Sequence, residues 1–366
     1  MFRSRLPLRA DQLCRLTACH GPARSTATRK YAAQTQNTSS SRAQRVAVWT
    51  GSLGGAALVA AYFFWPDTSR SAPTYTDATL SPAYFTPVTV TATERCKDPN
   101  TCLMELTVPR EALPPSRDRL FAPIWSVYIK DDDIQVERAY TPLEGIDEDG
   151  RMRFWVKKYP KGEVGRWLHS KRAGDKIEIR GPLKTYHWQE DKWDEVVMIS
   201  GGTGITPFYQ LIHSTLLSTG TATPSPRFTL LHSARTPAEL PPPELLQPLQ
   251  SYSVANPDRL RVRLFVDQLD GSSSETVPTG DLQVGRIGQA ALSQALSSSQ
   301  QLSWWQRWFQ RSNPVLNTDR KILFLVCGPE PMINAIAGPY GRNYSQGTVG
   351  GALAEIGCRA EQVWKL

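Results

Sequence analysis

Several chemistries lack their signatures in this chain. No Gly-rich loop is followed by the Lys-Ser/Thr that a phosphate-hydrolysing loop needs, so nucleotide hydrolysis is excluded as the reading of "GGTG" at 201–204. The dinucleotide fingerprint G-x-G-x-x-G is also missing. No C-x-x-C-H is present to attach a c-type haem, and no His/Cys group has zinc spacing. Net basic charge is absent from most of the chain as well. Residues 1–45 carry nine Lys and Arg against Asp11 alone, which accounts for the whole +8. The remaining 33 basic residues balance 33 acidic ones, so the charge is no nucleic-acid footprint.

The basic segment 1–45 is rich in Arg, Ser, Thr and Ala, and lacks the continuous apolar core of a secretory signal. It reads as a mitochondrial presequence. The stretch 46–65, "VAVWTGSLGGAALVAAYFFW", has no charge and the length of a bilayer span, with aromatics at both ends. Arg42 and Arg45 precede it, whereas Asp67, Arg70 and Asp77 follow. That bias predicts one transmembrane helix, with the N-terminus in the matrix and the C-terminal domain facing the intermembrane space. A Pro/Ser/Thr linker is expected over 66–82.

Beyond the linker two patterns follow. Over 83–188, short alternating runs such as "FTPVTVTAT", "CLMELTV", "SVYIK", "RFWVKKY" and "DKIEIRGP" predict an antiparallel barrel. Over 189–366, "VVMIS", "FTLLHS", "RVRLFV" and "KILFLVCG" alternate with helical stretches and predict a parallel sheet. The expected fold class is thus β followed by α/β. Residues 271–320 are Ser-rich and read as an insertion. Within them, "WWQRWFQR" at 304–311 suits either a membrane interface or the cap of a core.

In "MISGGTGITP", 198–207, a buried strand runs into a tight turn and a helix with Pro207 near its start. Orphan N–H groups there suit a pyrophosphate, although an ordinary strand–turn–helix corner has the same shape. Three further motifs accompany it in order: "RAYTPL" at 138–143, "VKKYPKGEVGRWLHSKRAGDKIEIRGP" at 156–182 and "CGPEPM" at 327–332. Together they resemble the ferredoxin–NADP reductase superfamily, most closely its NADH–cytochrome b5 reductase branch.

The resemblance implies an FAD-dependent NAD(P)H oxidoreductase, and it assigns roles to particular residues. Arg138 would pair with the FAD pyrophosphate, as a planar fork of donors can. Tyr140 would pack on the flavin, with the Thr141 hydroxyl near the hydride-accepting atom. Gly162, Val164 and Gly165 would form the turn and helix start facing the FAD pyrophosphate. Lys157 and Tyr159 would lie near the nicotinamide nucleotide phosphates and the flavin side, or be plain exposed strand residues. Gly201, Gly202, Thr203, Gly204 and Thr206 would cradle the NAD(P)H pyrophosphate. Cys327 would sit on the hydride path, with Gly328 and Pro329 shaping the floor and Met332 opening the next helix.

Some positions depart from the family pattern. Gly165 replaces a Ser or Thr, and Glu163 a common Lys. The ending "QVWKL" lacks a terminal aromatic over the flavin, and Trp364 comes too early to replace it. NADH and NADPH stay open: Asp267 or Asp270 would repel a 2′-phosphate, whereas Ser233 and Arg235 would meet one. The implied acceptor is haem or a haem protein, cytochrome c or its haem lyase among them. The alternatives are a general cytochrome b5 reductase and a non-catalytic, FAD-stabilised scaffold. Cys96 and Cys102 bracket "KDPNT", where a hairpin turn would allow either a disulfide or two thiols.

Overall fold

A computed structural model describes residues 72–114, 121, 123–218, 226–274, 277–297 and 320–366. The expected presequence, the apolar span 46–65 and the Trp-rich stretch 304–311 lie outside the described residues. Among the described residues no helix is long and apolar enough to cross a membrane.

The first sheet is antiparallel. Its strands are β1 (Thr86–Arg95), β2 (Thr101–Thr107), β3 (Trp125–Lys130), β4 (Glu137–Tyr140), β5 (Arg151–Lys157) and β6 (Lys176–Lys184), in the order β4-β3-β6-β1-β2-β5. Alternation puts Val88, Val90, Met104, Leu106, Val127, Ile129, Phe154 and Ile177 into one core. A single buried core fed by every strand but β4 means that the sheet curls around it. Helix α1 (Glu163–Ser170) closes one end with Val164, Trp167 and Leu168. The expected barrel is not a closed one, because β4 and β5 do not pair. Strand β4 is short, and its polar residues "ERAY" are half-buried or exposed, so its outer edge has no apolar face to bury against a neighbour.

The expected linker is in part a packed element. Thr74 bridges Phe85, Ser81 bridges Tyr84, and Leu80 is buried in the barrel core. The hairpin over Cys96–Cys102 is present, but a disulfide is not; both thiols are free. Cys102 sits opposite Arg95, while the Cys96 amide bonds the Thr101 carbonyl 3.2 Å away. The two side chains therefore point to opposite faces of the sheet. Cys102 joins the barrel core, whereas Cys96 packs against the second one.

The second sheet is wholly parallel: β7 (Glu195–Gly201), β8 (Arg227–Ala234), β9 (Leu260–Val266), β10 (Gln283–Val284), β11 (Ile322–Cys327) and β12 (Val363–Lys365), in the order β10-β9-β8-β7-β11-β12. Helices α2 (Thr206–Ile212), α3 (Pro243–Ala255), α4 (Gln289–Ser297), α5 (Glu330–Ala337) and α6 (Gly351–Glu355) accompany it. The segment read as an insertion corrects itself over 277–297. There β10 extends the sheet, and Ile287, Leu292, Ala295 and Leu296 enter its core. The Ser-rich composition hid a buried stripe at helical spacing.

The two sheets share apolar packing. Ile124, Leu143, Trp155 and Tyr186 from the barrel side lie in one cluster with Phe208, Leu211, Phe228 and Leu245. A directional contact pins this joint: the Trp125 backbone N–H donates to Gln210 Oε1 of α2 at 2.8 Å.

Candidate active-site cleft

Strand order locates the cleft. In the parallel sheet the chain builds outward from β7 in one direction and from β11 in the other, so the switch point falls between these two strands. Ligands bind beyond the carboxyl ends of strands at such a point. Gly201 ends β7 and Cys327 ends β11, with Ser200 paired to Cys327. The barrel supplies the opposite wall from its unpaired gap, using β4 and the end of β5.

The resulting cleft has a volume of about 620 Å³. Arg138, Tyr140 and Thr141 come from β4 and the residue after it, Lys157 and Tyr159 from the end of β5, and Gly162, Val164 and Gly165 from the start of α1. Gly201, Thr203, Gly204 and Thr206 come from the turn after β7, and Cys327, Gly328 and Pro329 from the turn after β11. Gly202 and Met332 line an adjoining cleft of about 580 Å³, which shares Lys157, Tyr159, Gly201 and Pro329. The four motifs, separated by up to 190 residues, thus meet at one place.

Close approach explains two of the glycines. A Cβ on Gly204 would lie 2.4 Å from the Cys327 carbonyl oxygen and 2.8 Å from Gly328 Cα, so the turn can touch the end of β11 only without a side chain. A Cβ on Gly165 would lie 2.8 Å from the Lys157 carbonyl oxygen. The missing Ser or Thr is therefore more than a lost hydrogen bond, because α1 sits too near β5 for any side chain there.

The start of α1 at Gly162 lines the cleft without a side-chain cap, while Glu163 lies in the same wall. Arg138 is exposed on the edge strand and donates to the neighbouring Glu137 carbonyl at 2.8 Å. Tyr140 is half-buried; burial holds its phenol well above the ordinary value, with Arg138 opposing. Burial also pushes the Cys327 thiol up to about 12, so at neutral pH it is a protonated, weakly polar group. The Thr206 hydroxyl donates to the Thr203 carbonyl at 3.0 Å and tightens the turn before α2.

Sequence reasoning passed over several residues of this cleft, among them Ser126, Trp155, Thr185 and Leu366. Each lies outside the four motifs and is brought in by the fold. Leu366 is held by its N–H on the Val326 carbonyl, 2.9 Å, and by the Tyr340 hydroxyl on its own carbonyl, 2.8 Å. Trp364 turns away, edge-on to Tyr186 with ring centroids 5.5 Å apart. The uncertain register near "FVDQLD" also resolves: Asp267 lines the adjoining cleft, and Asp270 caps an exposed turn through Ser272.

Comparison with known proteins agrees with this geometry. Residues 118–188 match the oxidoreductase FAD-binding domain, and residues 198–338 match the oxidoreductase NAD-binding domain. The chain thus carries an FAD-binding and an NAD-binding oxidoreductase domain, in that order. It is 32% identical over 240 residues to NADH-cytochrome b5 reductase 2 of Mycosarcoma maydis, covering 65% of this chain and 59% of the relative. With NADH-cytochrome b5 reductase 2 of Scheffersomyces stipitis it shares 29% over 230 residues, covering 63% and 66%. The chain thus spans about two thirds or less of these relatives. The cytochrome b5 reductase domain of Ulva prolifera nitrate reductase has the same fold, at TM-score 0.57 and 19% identity, over 79% of this chain and 100% of that one.

The cleft fits both groups. The helix start at Gly162, the turn 201–204 after β7 and the exposed Arg138 suit two pyrophosphates on facing walls. FAD and NAD(H) are the cofactors this pair of domains takes.

Proposed function

We propose that this chain is a membrane-anchored mitochondrial reductase that moves electrons from NADH through FAD to haem iron. In the intermembrane space it would keep haem ferrous for attachment to cytochrome c. The observation that carries the redox reading is the meeting of the β4–α1 wall with the ends of β7 and β11 in one cleft. Support for the membrane and mitochondrial parts is the acid-poor basic segment followed by an uncharged 20-residue run.

When bound, FAD supplies hydride acceptance and single-electron release. The chain's own residues supply position. Arg138 and the α1 start would hold the flavin nucleotide's phosphates, and Tyr140 and Thr141 would position its ring. The turn 201–206 and Gly328 would hold the second dinucleotide against the opposite wall. Cys327 would be a packing neighbour of the reacting atoms, and burial keeps its thiol protonated at neutral pH. Orientation across the cleft is thus the protein's contribution.

Glu163 and the tight Gly165 weaken the phosphate wall relative to a Lys- and Ser-bearing one, which favours the FAD-stabilised scaffold as second reading. The test is stopped-flow reduction of haemin, cytochrome c and cytochrome b5 by the FAD-loaded protein with NADH. Fast haemin reduction supports the proposal, whereas fast cytochrome b5 reduction alone supports a general reductase. Flavin colour without turnover supports the scaffold. Protease treatment of mitoplasts should degrade the C-terminal domain; its protection would overturn the topology.

A further inference from the structure

Two lysines are buried among the described residues, and they are neutralised differently. Lys130 pairs with Glu178. Lys157, almost as enclosed, lies 2.8 Å from Glu239 and 3.5 Å from Asp98. Lys365 of β12 is 4% exposed, yet no carboxylate among the described residues pairs with it. Its ammonium donates to the Pro339 carbonyl at 2.7 Å and the Gly338 carbonyl at 3.3 Å, with the Tyr340 ring 5.5 Å away. Burial lowers its pKa from the ordinary lysine value, and no neighbouring anion opposes that fall. The backbone fixes where this charge stands. Lys365 pairs with Val326 of β11, the residue before Cys327. Gln346 accepts from the Lys365 N–H at 2.7 Å and donates to its carbonyl at 2.9 Å. The next residue, Leu366, lines the cofactor cleft, so alternation along the strand puts the ammonium behind the same wall.

We propose that Lys365 tunes the reduction potential of the flavin: an unpaired buried cation behind the cleft wall makes FAD easier to reduce. The proposal deepens the reading of the cleft as an FAD-binding one and rests on it. A hydride carries two electrons and one proton, so a neutral flavin ring that accepts it gains one negative charge. A fixed cation behind the wall stabilises that charge, and most strongly where no carboxylate cancels it. Lys157 contributes less, because Asp98 and Glu239 offset it. Lys365 also stands at the carbonyl end of α5, whose C-cap is Gly338, and an ammonium suits that end. Capping alone does not require a charge, however. An uncharged donor would serve the same two carbonyls without the cost of burying an ammonium.

The test is a reductive titration of the FAD-loaded chain against a reference dye, read at the flavin absorbance. Lys365→Met keeps the side-chain length and removes the charge. Lys365→Gln is a second neutral variant that can still donate to a carbonyl, should the first fail to fold. In either, the flavin reduction equilibrium should fall about tenfold, the scale of one unpaired charge at an effective dielectric of about 20. For a two-electron couple that is a drop of about 30 mV. Gln346→Ala is the control. It loosens the same strand but leaves the ammonium, so it should lower Tm without moving the potential. A wild-type potential in yellow, folded Lys365→Met or Lys365→Gln protein overturns the proposal, as does an equal drop in Gln346→Ala. A wild-type chain that retains no FAD defeats the cofactor reading itself, and its lack of colour tells the two failures apart.

Discussion

Gly204 is the position where the cleft is most exposed to a small change. Its Cβ direction is blocked by backbone on the far side: the Cys327 carbonyl oxygen at 2.4 Å, the carbonyl carbon at 2.6 Å and Gly328 Cα at 2.8 Å. Backbone cannot rotate away as a side chain can, so Gly204→Ala must push the turn from the end of β11 by about 1 Å to reach ordinary contact. Overpacking of this kind costs about 1–3 kcal/mol. For a unit of this size each kcal/mol lowers Tm by about 2–4 °C. The displaced turn also carries Gly201, Thr203 and Thr206, so NADH affinity should fall more than FAD affinity. Gly202→Ala is the matched control: its Cβ meets nothing within 4 Å, and its φ of +55° carries only the left-handed cost, about 1–2 kcal/mol. The assay is thermal unfolding of the FAD-loaded variants together with their NADH KM. A Gly204→Ala protein with wild-type Tm and KM would refute the close-approach argument, and so would a Gly202→Ala variant that loses NADH affinity more severely.

Gly165→Ser should lower FAD occupancy and Tm, because its Cβ would crowd the Lys157 carbonyl; tighter FAD binding would instead restore the lost-hydrogen-bond explanation. Burial lowers the pKa of His232 from 6.5 to about 3, with Ser200 Oγ 2.9 Å from its Nδ1. A depressed folded value means stability is present above the unfolded pKa and is lost as pH falls through 6.5 toward 3. The loss from this group at pH 5 is about 2 kcal/mol, and denaturant titration of His232→Leu at pH 7 and 5 should show a flatter pH dependence than wild type. Alkylation of the unreduced, denatured protein should label both Cys96 and Cys102; a mass consistent with a bridge would contradict their opposite-face placement. Arg138→Ala should release FAD on gel filtration, measured by the ratio of flavin to protein absorbance, and full retention would remove its assigned role.

The long alternating strands of the barrel and the apolar strands of the parallel sheet were legible because burial imposes period and composition on them. Strand β4 was not, since "ERAY" is an edge strand with no buried alternation. Strands β10 and β12 span two and three residues, too short for any periodic signal. The four motifs were readable as local turns whose Gly and Pro residues have backbone reasons. What could not be read was the surroundings of each charge. Lys157 looks free in sequence, yet Asp98 and Glu239 reach it from a hairpin tip and a short helical turn far away along the chain. Gly165 likewise looks like a missing hydroxyl until the distance to β5 is known. Long-range packing decided both, and no local pattern encodes it.

The central claim is that two dinucleotides meet face to face across one cleft. Anaerobic addition of NADH to the FAD-loaded protein, followed at the flavin absorbance near 450 nm, tests it most directly. The account predicts stoichiometric bleaching in the wild type and a much slower loss of colour in Gly204→Ala; a yellow protein that NADH leaves unbleached would contradict it.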